Sequence, residues 1–306
     1  MVEISVIVPL FNEKENLEAL CSSLREVLSG TNKEYEVILV DDCSTDGSFE
    51  LLETLSKSDS HIKVIQFRVN FGQTAALMAG IDAARGKTIV TMDGDLQNDP
   101  KDIPAMLAKM DEGFEMVNGW RRNRQDPTLR VLPSMIANRM IRYLSGVPIH
   151  DFGCTLKAFQ RDLVKDLRLY GEMHRFIPIF MSWEGARITE LEVTHHPRTA
   201  GVSKYGFGRI FKVILDLITI KFLESYSTKP NYVFGGIGLL FSILGISLGL
   251  VGVYFHVERA GLMGGIFLVM GIQFLLMGIL AEIVIRSYHE TSKKPIYKIR
   301  RKLNLE

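Results

Sequence analysis

Short apolar runs alternate with helix-length mixed segments between residues 4 and about 120: ISVIVPL, YEVILVD, IKVIQF, KTIVTMD and FEMVNGW. Runs of this length, rich in Val and Ile and bounded by polar turns, read as buried strands. Strands separated by helices imply right-handed crossovers, hence an α/β fold with a doubly wound, mostly parallel sheet. Farther along, Leu129, Leu132, Ile136, Met140 and Tyr143 recur at helical spacing beside Arg130, Ser134 and Arg139. That spacing predicts an amphipathic helix over about 128–146. A second amphipathic segment, Gly206 to Glu224, sets Arg209, Lys212 and Asp216 on one stripe, with Ile210, Phe211, Ile214 and Leu217 elsewhere.

The pattern then changes. Tyr232 to Phe255 runs 24 residues without a charge, and Met263 to Ala281 a further 19, each near the ~20 that cross a bilayer core. Both are predicted transmembrane helices. Only His256 to Leu262 separates them, so they form a hairpin whose outer ends return to one side. The segment after them carries seven Lys/Arg against Glu290 and Glu306, whereas the hairpin loop has only Arg259. By the positive-inside rule both termini face the cytoplasm. The expected organisation is a catalytic α/β domain over 1–205, an amphipathic juxtamembrane helix over 206–229, two membrane spans over 230–285 and a basic tail over 286–306.

Composition narrows the function. The 306 residues hold 36 Lys+Arg against 35 Asp+Glu, and mean hydropathy is positive, +0.13. A formal charge of +1 excludes a globally basic nucleic-acid binder, so any anionic partner meets a local patch. Cys21, Cys43 and Cys154 lack CxxC spacing and are odd in number, which supports neither a zinc knuckle nor a disulfide framework.

In a doubly wound sheet, ligands bind beyond the carboxyl ends of the strands. Polar residues stand at four of the five strand exits: Asn12 and Glu13, Asp41 and Asp42, Asp93 and Asp95, Arg121 and Arg122. No GxGxxG follows the first strand and no GxxxxGK[ST] occurs, which disfavours a dinucleotide site and a P-loop. The strongest signal is Asp93-Gly94-Asp95-Leu96-Gln97. Two carboxylates and an amide oxygen offer hard ligands to Mg2+ or Mn2+, with Gly94 read as the residue that allows the sharp turn. Such an ion shares its shell with phosphates, which points to a nucleoside diphosphate. The alternative for these residues is a solvated acidic turn capping the next helix.

Six arginines between Arg121 and Arg142 face one acid, Asp126, a composition suited to an anionic membrane surface. The loop Arg198-Thr199-Ala200-Gly201-Val202-Ser203-Lys204-Tyr205 has two cations, a hydroxyl and a glycine, as phosphate clamps do. His195 and His196 have no third ligand at metal spacing and read as structural.

Seven segments in order, VPLFNE, VDDCSTDG, NFGQTAALMAG, MDGDLQNDP, GWRRNRQDP, DFGCTLKAFQR and RTAGVSKY, resemble family 2 glycosyltransferases of the GT-A fold. More narrowly, the chain resembles the polyprenyl-phosphate glycosyltransferases, with NFGQ, NRQDP and DFGC closest to the aminoarabinose transferase pattern. The resemblance implies an inverting transfer of a sugar from a nucleotide-sugar donor, of UDP-glucose or UDP-aminoarabinose type, to polyprenyl phosphate at the cytoplasmic membrane face. It implies that Pro9, Phe11, Glu13 and Asp42 contact the nucleotide, and that Asp93, Asp95 and Gln97 hold the metal, Asp93 reaching either metal or ribose. It places Arg121, Arg130 and Ser134 at the lipid phosphate, and Arg198, Ser203 and Lys204 over the donor diphosphate. Asp151 matches an acid that acts as base or sugar ligand, so Asp151, Asp93 and Arg121 form the expected catalytic set. Gly94 replaces a common alanine and is expected to loosen the metal turn slightly.

Alternatives are a dolichol-type mannosyltransferase using GDP-mannose, a processive polysaccharide synthase, whose QxxRW run is missing here, and a membrane scaffold that only binds nucleotide-sugar. Gly235, Gly236, Gly238, Gly245, Gly249 and Gly252 permit close helix packing and leave room for a homo-oligomer.

Overall fold

The computed structural model describes residues 1–122, 128–167, 169, 171, 173–197, 231–291 and 296–305. It divides into two compact units, one holding the sheet and its helices, the other a pair of long apolar helices.

All five apolar runs are strands: β1 (Ile4–Leu10), β2 (Tyr35–Asp41), β3 (Ile62–Phe67), β4 (Thr88–Thr91) and β5 (Met116–Trp120). Between them lie α1 (Lys14–Ser29), α2 (Ser48–Ser58), α3 (Gln73–Ala83) and α4 (Ile103–Asp111). The chain continues through α5 (Thr128–Ser145), β6 (Lys157–Gln160), α6 (Ile177–Trp183) and β7 (Ile188–Glu192). A last strand, β8 (Ile299–Leu303), closes the unit.

The strand order is β7-β5-β6-β4-β1-β2-β3-β8. β1 sits centrally, parallel to β2 and β4, and its near-continuous apolar run is what burial on both faces requires. Leu17, Leu20, Cys21, Leu24 and Leu28 give α1 one apolar stripe, buried against the sheet. On the other face α3 approaches so closely that a Cβ at Gly80 would lie 2.3 Å from Ile7 Cγ2. Two strands break the parallel rule. β6 inserts antiparallel between β4 and β5, and β8 runs antiparallel along β3.

The C-terminal segment, basic by composition, thus carries an edge strand. Asn304 donates to the carbonyls of Ser56 and Ile62, while Tyr297 stacks on Phe67 at 5.3 Å and donates to Asp82. The strand covers main-chain groups of β3 that would otherwise form an open edge.

The second unit consists of α7 (Asn231–Tyr254) and α8 (Glu258–Thr291). The second helix begins earlier than the charge pattern indicates, at Glu258, so the turn is only Phe255–Val257. The helices pack as an antiparallel hairpin through glycine contacts. A Cβ at Gly238 would lie 2.8 Å from the Gly271 carbonyl, and one at Gly252 only 2.5 Å from the Gly261 nitrogen. Phe234–Tyr254 and Glu258–Ala281 have mean hydropathy 2.2, and their most apolar stretches are only 11% and 17% buried. Leu250, Val253 and Val269 are each more than 60% exposed. Apolar surface of this extent is the opposite of a buried core helix.

Candidate active site

The exits of β1 and β2 are laced together. Asn12, with φ of 56°, donates its main-chain N–H to Ser44 Oγ, and its side-chain oxygen accepts from the Thr45 amide. The Glu13 amide donates to Ser48 Oγ, and its carboxylate accepts from Asn16 Nδ2. Asp42 is buried and takes the Phe71 amide on Oδ1 at 2.7 Å and the Gly72 amide on Oδ2 at 2.8 Å. Burial nevertheless pushes its carboxyl up from the ordinary value. The acid expected to meet a nucleotide base therefore first organises the loop before α3. Each oxygen keeps a second lone pair for a ligand.

That loop delivers Gln73, the first residue of α3, whose Nε2 donates to Asp93 Oδ1 at 2.7 Å. Asp93 and Asp95 leave the end of β4, Asp95 only 7% exposed. The Gln97 amide donates to Asp95 Oδ1 at 3.2 Å. The left-handed residue of this turn is Leu96, at φ 58°, and not Gly94. Gly94 is required for packing instead: a Cβ there would lie 2.4 Å from Leu10 Cδ2. Glycine therefore seats the turn tightly on β1 where looseness was expected. Beyond it, the His196 amide donates to the Gln97 carbonyl, His196 Nε2 meets Asp99 Oδ2 at 3.1 Å, and His195 bridges Asn98. The two histidines hold the acidic loop against the exit of β7.

Asp93 keeps some surface exposed but is densely surrounded, and burial with the neighbouring Asp95 charge pushes its acid up to about 6. Among the described residues no three His, Cys, Asp or Glu side chains cluster as a closed metal site. Two crowded carboxylates and an amide fit a different kind of ion, one that completes its shell with phosphate oxygens, as Mg2+ does. A divalent cation there would remove the repulsion that raises Asp93.

The third wall comes from β5, β6 and the segment before it. Arg121 grips Asp151 through two hydrogen bonds, Nε to Oδ2 at 2.8 Å and Nη2 to Oδ1 at 3.0 Å. Their side chains are 14% and 4% exposed. Burial opposes the guanidinium charge, but the Asp151 carboxylate outweighs it and holds Arg121 above its ordinary pKa. Sequence placed both residues in the site without predicting their pairing. Arg122 instead lies outward, paired with Glu192 at 2.7 Å.

Behind Asp93 lies a small cleft, partly open to solvent, lined by Pro9, Gln73, Thr155, Lys157, His174 and Arg175 among others. Lys157 is 2% exposed and donates to the carbonyls of Phe152 and Cys154. Burial pulls its ammonium down to about 8. His174, bonded through Nδ1 to Thr74 Oγ1 at 2.7 Å, is held well below its ordinary value by burial and by the cations of Arg175 and Lys157. It is a neutral imidazole at physiological pH. Gln73, Lys157, His174 and Arg175 were not singled out from sequence. Lys157 is the first of only four residues in β6, KAFQ, a strand too short to mark this wall in the sequence.

Pro9 lines the cleft, and Phe11 and Glu13 follow directly on β1. Ser134 sits on α5, as does the backbone of Arg130, whose side chain lies outside the described residues. Arg198, Ser203, Lys204 and the amphipathic segment over 206–229 also lie outside them.

Comparison with known proteins gives the family and the fold. Residues 5–168 match the model of Glycosyl transferase family 2. A dodecaprenyl-phosphate galacturonate synthase of Rhizobium johnstonii is 39% identical over 98% of this chain and 92% of its own length. An undecaprenyl-phosphate 4-deoxy-4-formamido-L-arabinose transferase of Shewanella sediminis is 36% identical over 97% and 91%. The fold matches that of glucosyl-3-phosphoglycerate synthase from Mycobacterium tuberculosis, solved with Mn2+, UDP-glucose and glycerol 3-phosphate. Its TM-score is 0.55 at 19% identity, over 73% of this chain and 80% of that one. Mannosyl-3-phosphoglycerate synthase from Rubrobacter xylanophilus gives 0.56 at 12% identity, over 72% and 74%. On the family match and these near full-length relatives, the chain belongs to glycosyl transferase family 2.

Proposed function

We propose that this enzyme transfers a sugar from a nucleotide diphosphate to a polyprenyl phosphate, with inversion, at the cytoplasmic face of a membrane. The observation that carries the proposal is that Asp93 is met both by the Asp42 loop, through Gln73, and by the charge of Arg121, itself paired with Asp151, in a chain that also has two membrane-length apolar helices. Both named relatives are polyprenyl-phosphate sugar transferases. That fits single transfer to a lipid and not the processive or dolichol-mannose alternatives.

In the transfer, an acceptor phosphate oxygen attacks the anomeric carbon as the bond from that carbon to the donor's β-phosphate breaks, releasing the nucleoside diphosphate. A phosphate monoester with a second pKa of about 6 arrives mostly dianionic at pH 7, so it needs little help from a base. Asp151, engaged at both oxygens by Arg121, acts as a positioning acid: it aims the guanidinium and leaves the nucleophile already ionised. Arg121, with Arg130 and Ser134, offsets repulsion on the acceptor side. Asp93, Asp95 and Gln97 would hold Mg2+ or Mn2+, and that ion would supply charge stabilisation to the departing diphosphate. The N–H groups fixed by Asp42 shape the nucleotide side, and the family resemblance assigns Arg198, Ser203 and Lys204 to the donor diphosphate.

The lipid acceptor explains the remaining architecture. At roughly 0.8 kcal/mol per buried CH2, a polyprenyl tail stays in the bilayer. The enzyme must therefore work at the membrane surface. Exposed Met135, Met140, Tyr143 and Leu144 on α5, beside exposed Arg139, suit contact with that surface. Gly236 of α7, with open space where a Cβ would stand, would also admit a second copy of the hairpin. Incubating reconstituted enzyme with radiolabelled nucleotide-sugars and polyprenyl phosphate, then extracting lipid, tests the proposal. Labelled glycolipid is expected, and its absence across donors would favour the reading in which the protein only binds nucleotide-sugar.

A further inference from the structure

We infer that His174 reads a hydroxyl of the donor sugar, accepting its hydrogen at Nε2 in the cleft behind Asp93. The inference rests on the glycosyltransferase reading of the same site and adds a specificity-determining residue.

The hydrogen bonds behind the ring fix which nitrogen carries the proton. Thr74 Oγ1 is bonded both to the Gly171 carbonyl and to His174 Nδ1. A hydroxyl has one hydrogen to give, and a carbonyl has none. Thr74 therefore donates to Gly171, and its oxygen accepts from an Nδ1–H of His174. The opposite tautomer would leave the Thr74 and Gly171 oxygens facing each other lone pair to lone pair. Burial and the cations of Arg175 and Lys157 keep the ring from taking a second proton. At physiological pH Nε2 is then a bare lone pair.

The ring is 6% exposed and lines the cleft, and Nε2 has no hydrogen-bond partner among the described residues. A buried acceptor without a donor is costly, so a group that enters the cleft and satisfies it is favoured. The lone pair also selects that group. It takes an O–H or N–H and repels phosphate and carboxylate oxygens, so it serves neither the diphosphate nor an anionic substituent.

Sheet order selects the part of the donor. Asp42 follows β2, the acidic turn follows β4, and the far wall of the cleft comes from the segment entering β6, whose Lys157 pairs with Thr91 of β4. β2 and β6 lie on opposite sides of β4. With the base by Asp42 and the diphosphate by Asp93, the sugar falls on the β6 side, where His174 stands on the 3-10 turn Met173–Phe176.

The test uses full-length enzyme in vesicles with polyprenyl phosphate. The donor is whichever of a panel of UDP-hexoses, UDP-pentoses and UDP-uronates labels lipid, compared with its singly deoxygenated analogues. The first variant is His174→Asn, whose amide N–H can still donate to Thr74 while nothing stands where Nε2 stood. In wild type, removing one particular hydroxyl should lower kcat/KM at least about tenfold, because the site's own acceptor is left unpaired. His174→Asn should lose a similar factor with the parent donor and at most about twofold more with that analogue, since both changes delete the same bond. Affinity for UDP alone, by calorimetric titration, should be unchanged. His174→Gln, whose amide oxygen can stand near the place of Nε2, should recover part of the preference. Thermal unfolding checks both variants, and a merely structural role would lower transfer from every analogue alike. Nitrogen NMR of histidine-labelled enzyme, with the His174 signals identified by their loss in the variants, should show Nδ1 protonated and Nε2 bare.

Glycolipid formation in which wild type and both variants respond equally to every deoxygenation would overturn the inference while leaving the lipid-phosphate glycosyltransferase standing. So would a proton on Nε2. A matching loss of affinity for UDP in His174→Asn would give the hydroxyl to the ribose and overturn the assignment to the sugar. Absence of glycolipid from every donor would overturn both readings together.

Discussion

The guanidinium of Arg121 meets the carboxylate of Asp151 edge to edge, at 2.8 and 3.0 Å, almost wholly out of solvent. Arg121 leaves β5 and Asp151 stands six residues before β6, so the pair ties together two strands that run antiparallel in the sheet. Asn118 Nδ2 adds a hydrogen bond to the Asp151 carbonyl at 2.9 Å.

Breaking a buried pair by removing one partner leaves an uncompensated charge and costs about 3–5 kcal/mol. Asp151→Ala should lower the unfolding temperature clearly and reduce transfer at least about tenfold. Arg121→Lys keeps the charge but loses the two-point grip, so it should preserve folding better than activity. If Asp151 aims Arg121, the pH profile of Asp151→Asn keeps its shape with a lower plateau. Loss of a single basic limb in that variant would restore Asp151 as the base.

Lys157 has an unusual linkage. Its folded value of about 8 lies below the ordinary 10.5, so the unfolded chain holds the proton more tightly. Below pH 8 the full cost of the buried charge is present, roughly 3 kcal/mol at 1.36 kcal/mol per pKa unit, and it is relieved as pH rises from 8 to 10.5. The stability of Lys157→Met relative to wild type should therefore be greatest near pH 7 and decline towards pH 10. Thermal unfolding at several pH values reads this difference, and a constant difference would show that the ammonium is not buried as described.

The same lysine shows how far the sequence could be read. Five strands were legible because parallel strands buried on both faces need unbroken apolar runs, and their exits marked the site. Asp93, Asp95, Asp42 and Arg121 follow from that rule alone. Lys157 and Arg175 lie in β6 and a 3-10 turn, too short for periodicity to reveal which side they face. β8 was hidden for another reason. Arg300, Arg301 and Lys302 give IRRKL the charge of a solvated tail, and charged residues are also what an exposed edge strand uses. The role of Gly94 was misread because a glycine in a turn suggests backbone freedom, whereas here the missing Cβ makes room for Leu10.

The returning strand makes its own prediction. Ending the chain after residue 294 removes β8, the Asn304 hydrogen bonds and the stack of Tyr297 on Phe67. It uncovers the edge of β3, next to the strand whose exit carries Asp42. The shortened protein should unfold at lower temperature and self-associate in detergent. Asn304→Ala alone should cost about 0.5–1.5 kcal/mol, since two partly buried carbonyls lose their donor. Unchanged unfolding in both variants would show that β8 is dispensable.

The central claim is that the acidic turn after β4 holds a divalent ion against the donor diphosphate. The most direct measurement is sugar transfer to polyprenyl phosphate by Asp95→Ala in vesicles with Mg2+ or Mn2+, alongside membrane insertion and thermal unfolding. The account predicts a loss of at least about 10³-fold in transfer, as for removal of a main electrostatic stabiliser, with insertion and folding retained. Transfer by Asp95→Ala at the wild-type rate would contradict it.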